Sequence, residues 1–253
     1  MTCLRQDHLF ELYRNILALL FLTIAYFYSQ RILDDTISSE NKINAAKAKP
    51  SELPWKDTSK IPYTITGPYI SQLFEKAFID GLHNPQKRPS ADEWENALIK
   101  SVDLLQPCVN SSCEQAWYIF DNTLEPKCPF CHTKYKGLLP VINFYSEREK
   151  GRFVPDNHRL MVYTNQSLYP WHTNRYIHPN ERLNEAHKKR QGYFVFHNND
   201  WYLVNENMPD LSDPTSKKAY PIGSQIIISD GVNLLVGKER GDRLLNIQMV
   251  GEA

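Results

Sequence analysis

The sequence predicts an α+β fold in which N-terminal helices precede a small cysteine-built ribbon and a C-terminal all-β sandwich. Three features predict it. Apolar residues recur at helical spacing from Tyr69 to Leu105. Four cysteines fall as two close pairs between Cys108 and Cys131. From Pro140 onward, apolar residues gather in short β-branched or aromatic runs separated by turn residues. At 253 residues, 42% hydrophobic and 12% aromatic, the composition is that of globular protein, with length for one large domain or a few small ones.

Residues 1–34 centre on an apolar helix. Between Arg14 and Arg31 lie 16 uncharged residues, Asn15 to Gln30, which as a helix would span roughly 24 Å against a hydrocarbon core of roughly 30 Å. Two uses stay open: a membrane span through residues 15–30, or a helix buried on all sides within a protein lobe. Tyr26, Tyr28 and Arg31 suit an interface, and Arg31, Lys42, Lys47 and Lys49 outnumber Arg5 and Arg14, which puts the C-terminal side in the cytosol. The apolar stretch starts late and no small-residue cleavage site follows it, so export is not expected. The expected location is the cytoplasm, or a single-pass membrane protein with its C-terminal domains in the cytosol. Residues 35–66 are polar, without sustained periodicity, and read as a linker.

A helical pair is expected over residues 67–106. Ile70, Leu73, Phe74, Ala77 and Phe78 share one face of a helix ending at Gly81. The polar turn His83-Asn-Pro-Gln-Lys-Arg-Pro89 leads to Ser90-Ala-Asp-Glu93, a capping box whose two side chains satisfy free amides at the start of a second helix. Trp94, Ala97, Leu98, Val102 and Leu105 line its inner face.

Residues 107–137 carry the most specific signal. The spacing Cys108-x4-Cys113 and Cys128-x2-Cys131, with Cys-Pro-Phe-Cys in the second pair, suits two loops that present four thiolates to one structural Zn²⁺. Two disulfides or four free thiols are the competing uses, and His132 is a competing ligand. Ala116-Trp-Tyr-Ile-Phe120 between the pairs reads as a strand. So small a unit buries little apolar surface, and metal binding would supply the missing folding free energy. Four protein ligands leave no open position for water, so the expected zinc is structural and not catalytic. Cys3 stands apart.

Residues 138–253 read as the sandwich. Strands are expected at 140–145, 159–164, 192–197, 201–204, 224–228, 233–236 and 243–250, with turns at Asn-Asn-Asp, Asp-Gly and Arg-Gly-Asp. Residues 192–205 read as a hairpin, and so do 222–237 through Asp230-Gly231. The stretch Tyr169–Glu181 is dense in aromatic and polar residues. Trp171, His172, Arg175, His178 and Asn205 are the candidate ligand face, because Arg and His offer charge-assisted donors to an anion and Trp supplies contact area. His172, His178 and His187 lack the helical spacing of a metal site. Lys plus Arg equals Asp plus Glu, at 29 each, so no net field draws the chain to nucleic acid.

The segment Leu73–Leu98 resembles the last two helices of a protein kinase C-lobe. In that family the Arg of a Pro-x-x-Arg-Pro turn, here Arg88, pairs with a buried glutamate of the activation segment. Arg88 and Trp94 are the structural residues this resemblance carries over. Bacterial kinases associated with tellurium-resistance and stress gene clusters are similar over more of the chain, since they too run from the Trp-containing helix into a zinc ribbon. Asp7-His-Leu-Phe-Glu-Leu through Phe21 resembles the buried central helix of such a lobe, whose Asp anchors the catalytic loop. The Gly-rich loop, the Val-Ala-x-Lys strand, His-Arg-Asp and Asp-Phe-Gly are missing, and His158-Arg159 is followed by Leu beyond the ribbon. Only residues 1–66 precede the helical pair, too few for the rest of a kinase, which implies a kinase remnant or a piece of a split or truncated one.

The rhythm of Trp201, Leu203, Asn205, Gly223, Asp230, Gly231 and Gly237 resembles the latter half of a forkhead-associated sandwich, without its Gly-Arg and Ser-x-x-His loops. Together these resemblances imply a non-catalytic, kinase-derived adaptor in bacterial stress signalling. Its expected partner is a kinase, a phosphatase or another signalling protein. A Ser/Thr kinase completed by another chain and a membrane-anchored sensor are the competing classes.

Overall fold

The computed structural model describes residues 63–121, 125–180 and 182–252. The apolar run 15–30, Cys3, Asp7 and nearly all of the linker 35–66 lie outside them. Among the described residues no helix is long and apolar enough to cross a membrane.

A short 3₁₀ turn, Tyr63–Thr66, leads into helix α1 (Gly67–Glu75). Pro68 sits in its first turn, where the fixed φ suits a helix and the missing N–H would have had no partner. One wide π turn, Lys76–Asp80, continues it to Gly81. A side chain at Gly81 would not fit, because a Cβ there would lie 2.7 Å from Arg88 Cγ and 2.9 Å from the Lys76 carbonyl oxygen. Helix α2 (Ala91–Val102) begins with the capping box read from the sequence. Ser90 Oγ accepts from the Glu93 amide at 3.3 Å, and Glu93 Oε2 accepts from the Ser90 amide at 2.8 Å. Phe74 meets Trp94 edge to face at 5.5 Å, Lys76 pairs with Glu93, and Ile70, Phe74 and Ala97 are buried. The sequence places Leu105 on this helix. The structure instead ends α2 at Val102, caps it with Asp103 and starts strand β1 (Leu105–Pro107) at Leu105.

Strand β1 pairs antiparallel with β2 (Trp117–Ile119) to form the ribbon. The strands β3 (Gly137–Glu149), β4 (Arg152–Met161), β5 (Ser167–Leu168), β6 (Gly192–His197), β7 (Asp200–Asn205), β8 (Ser212–Asp213), β9 (Lys218–Ala219), β10 (Gln225–Ile228), β11 (Asn233–Leu235) and β12 (Arg243–Glu252) follow. Two one-turn helices, α3 (Pro170–Thr173) and α4 (Glu185–Lys188), separate β5 from β6. The strands form a six-stranded sheet in the order β4-β3-β12-β11-β8-β9 and a four-stranded sheet in the order β10-β7-β6-β5, all pairs antiparallel.

The two sheets enclose one apolar core. Ile142 and Phe144 of β3, Leu160 of β4, Leu245 and Ile247 of β12 meet Phe194 of β6, Trp201 and Leu203 of β7, and Ile226 and Ile228 of β10. Each such side chain removed from water contributes about 1.5–3 kcal/mol. Trp201 also donates from its indole Nε1 to the Leu138 carbonyl at 2.9 Å, which ties β7 to β3 across the core. The chain is α+β. The strands expected at 140–145, 192–197, 201–204, 224–228, 233–236 and 243–250 form, whereas the one expected at 159–164 runs instead from Arg152 to Met161, and the short β5, β8 and β9 lie outside the expected runs.

Strands β6 and β7 form the expected hairpin through Asn198-Asn199. Both asparagines have positive φ, 51° and 65°, as a two-residue turn matched to strand twist requires. The second expected hairpin, through Asp230-Gly231, does not form. Strand β10 pairs with β7 in the smaller sheet, whereas β11 pairs with β12 and β8 in the larger. The Asp-Gly turn therefore carries the chain from one sheet to the other. Its polar groups are taken by β12, with Gly231 donating to the Ile247 carbonyl and Asp230 Oδ1 accepting from the Met249 amide.

Candidate metal centre

The four cysteines converge at one end of the β1–β2 ribbon. In the first loop the Cys108 amide donates to the Ala116 carbonyl at 2.8 Å and the Cys113 amide to the Asn110 carbonyl at 3.0 Å. Asn110 Oδ1 accepts from the Ser112 amide, so the side chain stands in for a turn hydrogen bond. In the second loop the Cys128 amide donates to the Thr133 carbonyl and the His132 amide returns to the Cys128 carbonyl, both at 2.9 Å. Closing that loop puts His132 in the left-handed region, at φ 59°. Its side chain is exposed and outside the sulfur cluster.

Cys108 Sγ lies 3.5 Å from Cys131 Sγ, Cys113 Sγ lies 3.9 Å from Cys128 Sγ, and all four sulfurs fall within 4.8 Å of one another. A sulfur tetrahedron around a metal at about 2.3 Å has edges of about 3.8 Å, whereas a disulfide needs about 2.05 Å. All four cysteines are free thiols. The spacing is that of ligands and not of cross-links, and the cluster could hold a metal ion.

The electrostatics fit a group of sulfurs that shares charge. The Thr133 hydroxyl and amide, which hydrogen-bond the Cys131 sulfur, pull that thiol down to about 6. Burial, and the hydrogen bonds it shares with the other sulfurs, push Cys108 up to about 12. Tyr118 beneath the cluster is likewise pushed up to about 12, by burial and then by the neighbouring sulfurs.

The ribbon rests on the outer face of the larger sheet. Leu104, Tyr118, Phe120 and Cys128 pack with Val141 of β3 and Met161 of β4, flanked by Tyr69 of α1 and Val250 of β12. Burial on this face gives the small ribbon apolar contacts that it cannot make alone. No protein-family model matches the chain, and no curated protein matches it.

The five residues of the candidate ligand face do not come together as one surface. Asn205 is 0% exposed. Its Nδ2 donates to the Met208 and Tyr220 carbonyls, each at 2.8 Å, and its Oδ1 accepts from the Met208 amide at 2.9 Å. His172 points inward, with Nε2 3.2 Å from Asp103 Oδ1 and Nδ1 accepting from the Tyr169 amide at 3.1 Å. These two side chains are spent inside because each supplies hydrogen bonds that buried neighbours lack. Trp171 stacks on Tyr169 at 4.5 Å. Arg175 lies over the Tyr176 ring at 5.1 Å, and His178 is exposed. Farther off, Arg88 donates from Nε to the Gly81 carbonyl at 2.9 Å and from Nη2 to the Leu82 carbonyl at 3.3 Å, fixing the turn between α1 and α2.

Sequence reading missed a buried polar cluster where α2, β3, β4, α3 and β12 meet. His158 Nε2 lies 2.6 Å from Asp103 Oδ2, opposite His172. Arg243 donates from Nε to Asp156 Oδ2 at 2.9 Å and from Nη1 to the Trp171 carbonyl at 2.7 Å. No short motif could reveal it, since its members come from the cap of α2, from β4, from α3 and from β12.

Proposed function

We propose that the protein is a non-catalytic, kinase-derived adaptor whose ribbon is built on one structural Zn²⁺ held by Cys108, Cys113, Cys128 and Cys131. The observation that carries the zinc part of the reading is the convergence of four sulfurs within 4.8 Å of one another. Thiolates favour zinc among common divalent ions, and four protein ligands leave no position for a reacting water. The absence from the sequence of every phosphate-binding and catalytic-loop motif supports the non-catalytic part. The kinase-like helical pair and the forkhead-like order of residues support a signalling protein as the partner, with the β sandwich as the interaction module in the cytosol.

Metal analysis of the purified full chain tests this. The expected content is about one zinc per chain, lost in Cys108→Ser and in Cys131→Ser. A chain that holds no zinc, or that transfers phosphate from ATP to itself or to a generic protein substrate, overturns it.

A further inference from the structure

We propose that Arg175, Tyr176 and Arg240 form a docking surface on the sandwich for an acidic segment of a partner protein, in which the two guanidiniums meet carboxylates and the ring supplies contact area. The inference rests on the reading of the sandwich as an interaction module and names the part of it that binds. Of the five residues expected to face a ligand, Arg175 is the one this surface keeps.

Two loops are locked together to build it. Asn174, which caps the end of α3, bridges to Asp242, which precedes β12. Its Nδ2 donates to Asp242 Oδ1 at 3.0 Å and to the Arg240 carbonyl at 3.4 Å, while its Oδ1 accepts from the Tyr176 amide at 2.9 Å. The Arg175 amide donates to the Gly241 carbonyl at 2.8 Å. Gly241 has φ 98°, and a Cβ there would lie 2.4 Å from Tyr176 Cδ2 and 2.7 Å from Asn174 Oδ1. Only glycine lets the ring lie this close to the loop. Tyr176 is thus held in place although it is 53% exposed.

Both arginines gather on that ring. The guanidinium carbon of Arg175 lies 5.1 Å from its centroid and that of Arg240 lies 5.7 Å away, each inside the cation–π reach of about 6 Å. Stacking of this kind orients a guanidinium without consuming its N–H donors. Arg148, Arg152, Arg159, Arg190 and Arg243 each meet a carboxylate. Arg175 and Arg240 meet none among the described residues. Asp242 in the same loop is already engaged, its Oδ1 by Asn174 and its Oδ2 by the Glu239 amide at 2.9 Å. The loop bonds therefore keep two like charges beside one ring without a counter-charge, and a carboxylate from outside would relieve their repulsion.

A guanidinium fork offers a carboxylate two parallel N–H donors. Tyrosine and arginine are the residue types enriched where protein interfaces bind most strongly. Nucleic acid fits less well. A phosphodiester strand is held by a run of cations, whereas Glu239 and Asp242 interrupt this one and the basic and acidic residues of the chain balance at 29 each. The charge pattern suits a short acidic stretch of polypeptide.

Titration of the ¹⁵N-labelled full-length chain with a capped hexaglutamate peptide tests the surface. The Tyr176 and Gly241 amide resonances should shift, and binding should weaken as salt rises from about 50 mM to about 300 mM. Arg175→Gln with Arg240→Gln should weaken binding by about tenfold or more. Arg152→Gln, which removes an exposed cation at the start of β4, should leave it unchanged. Silence at Tyr176 and Gly241, or undiminished binding by the double variant, overturns the proposal. Tighter binding of inorganic phosphate or oligothymidylate than of the peptide overturns the carboxylate partner. The shift map needs no variant, so it decides the matter should the double variant not fold. Shifts confined to another face overturn this surface and leave the sandwich as the binding module, and zinc content measured on the same samples reports on the ribbon separately.

Discussion

The amide of Met161 donates to the carbonyl of Asp103 over 2.7 Å, and that bond closes the open edge of β4 at the place where the ribbon meets the sandwich. Strand β4 is the outermost strand of the six-stranded sheet, paired only with β3. One residue further along, Gln106 Nε2 donates to the Val162 carbonyl at 3.1 Å. At this end of β4 the helix cap and the ribbon thus occupy edge groups that another chain could otherwise pair with.

On the proposed zinc reading, chelation should expose this end of the edge as well as unfold a small loop. Stability of the full chain should drop by about 2–5 kcal/mol, comparable with removing a native cross-link. The urea midpoint before and after chelation, with light scattering on the same samples, measures both effects. A lower midpoint without added scattering would remove the edge-covering role and leave the metal site intact.

His132 occupies a left-handed backbone position, at φ 59°, that glycine adopts freely. Replacing it with glycine should stabilise the metal-loaded chain by up to about 1 kcal/mol, whereas His132→Val should cost about 1–2 kcal/mol. Zinc content should be the same in both, because the imidazole lies outside the sulfur cluster. Loss of metal in His132→Gly would make the imidazole a ligand after all.

What could be read from the sequence follows how local each signal is. The capping box at Ser90, the Cys-Pro-Phe-Cys loop and the Asn198-Asn199 turn are built from residues a few positions apart, and each sits where the sequence places it. Strands β3, β6, β7 and β12 carry enough alternating β-branched and aromatic residues to show their period. Strands of two or three residues, such as β1, β5, β8 and β9, have no period to show. The Asp230-Gly231 turn reveals a reversal of direction but not which sheet receives the next strand. Asp103 meets His158 and His172 from 55 and 69 residues away, a distance at which single-sequence patterns carry nothing.

Asn205 looks in the sequence like part of a ligand face, and its burial makes the opposite prediction. Asn205→Ala would strand the Tyr220 carbonyl and the Met208 amide inside the loop between β7 and β10, and leave the Met208 carbonyl only its 3.5 Å bond from the Leu211 amide. The expected loss is about 3 kcal/mol, since buried groups without partners cost about 1–3 kcal/mol each and relax in part. Thermal unfolding checks it, and a variant as stable as the parent would return Asn205 to the surface.

Arg243 and Asp156 form an ion pair with both side chains under 10% exposed, at 9% and 8%. A buried pair of this kind adds little net stability, because desolvation offsets the attraction, yet removing one member leaves the other uncompensated. Arg243→Met should cost about 3–5 kcal/mol, since it also strips the donor from the Trp171 and His172 carbonyls that seat α3. Asp156→Leu should cost about as much, because Arg243 then keeps its carbonyls but loses its counter-charge. The two together should cost less than their sum by about 2 kcal/mol, as contacting residues do. Urea unfolding of the two single variants and the double variant closes the cycle. Strict additivity would mean that the pair does not interact in the folded protein, and the polar cluster around Phe144 would then have to be redrawn.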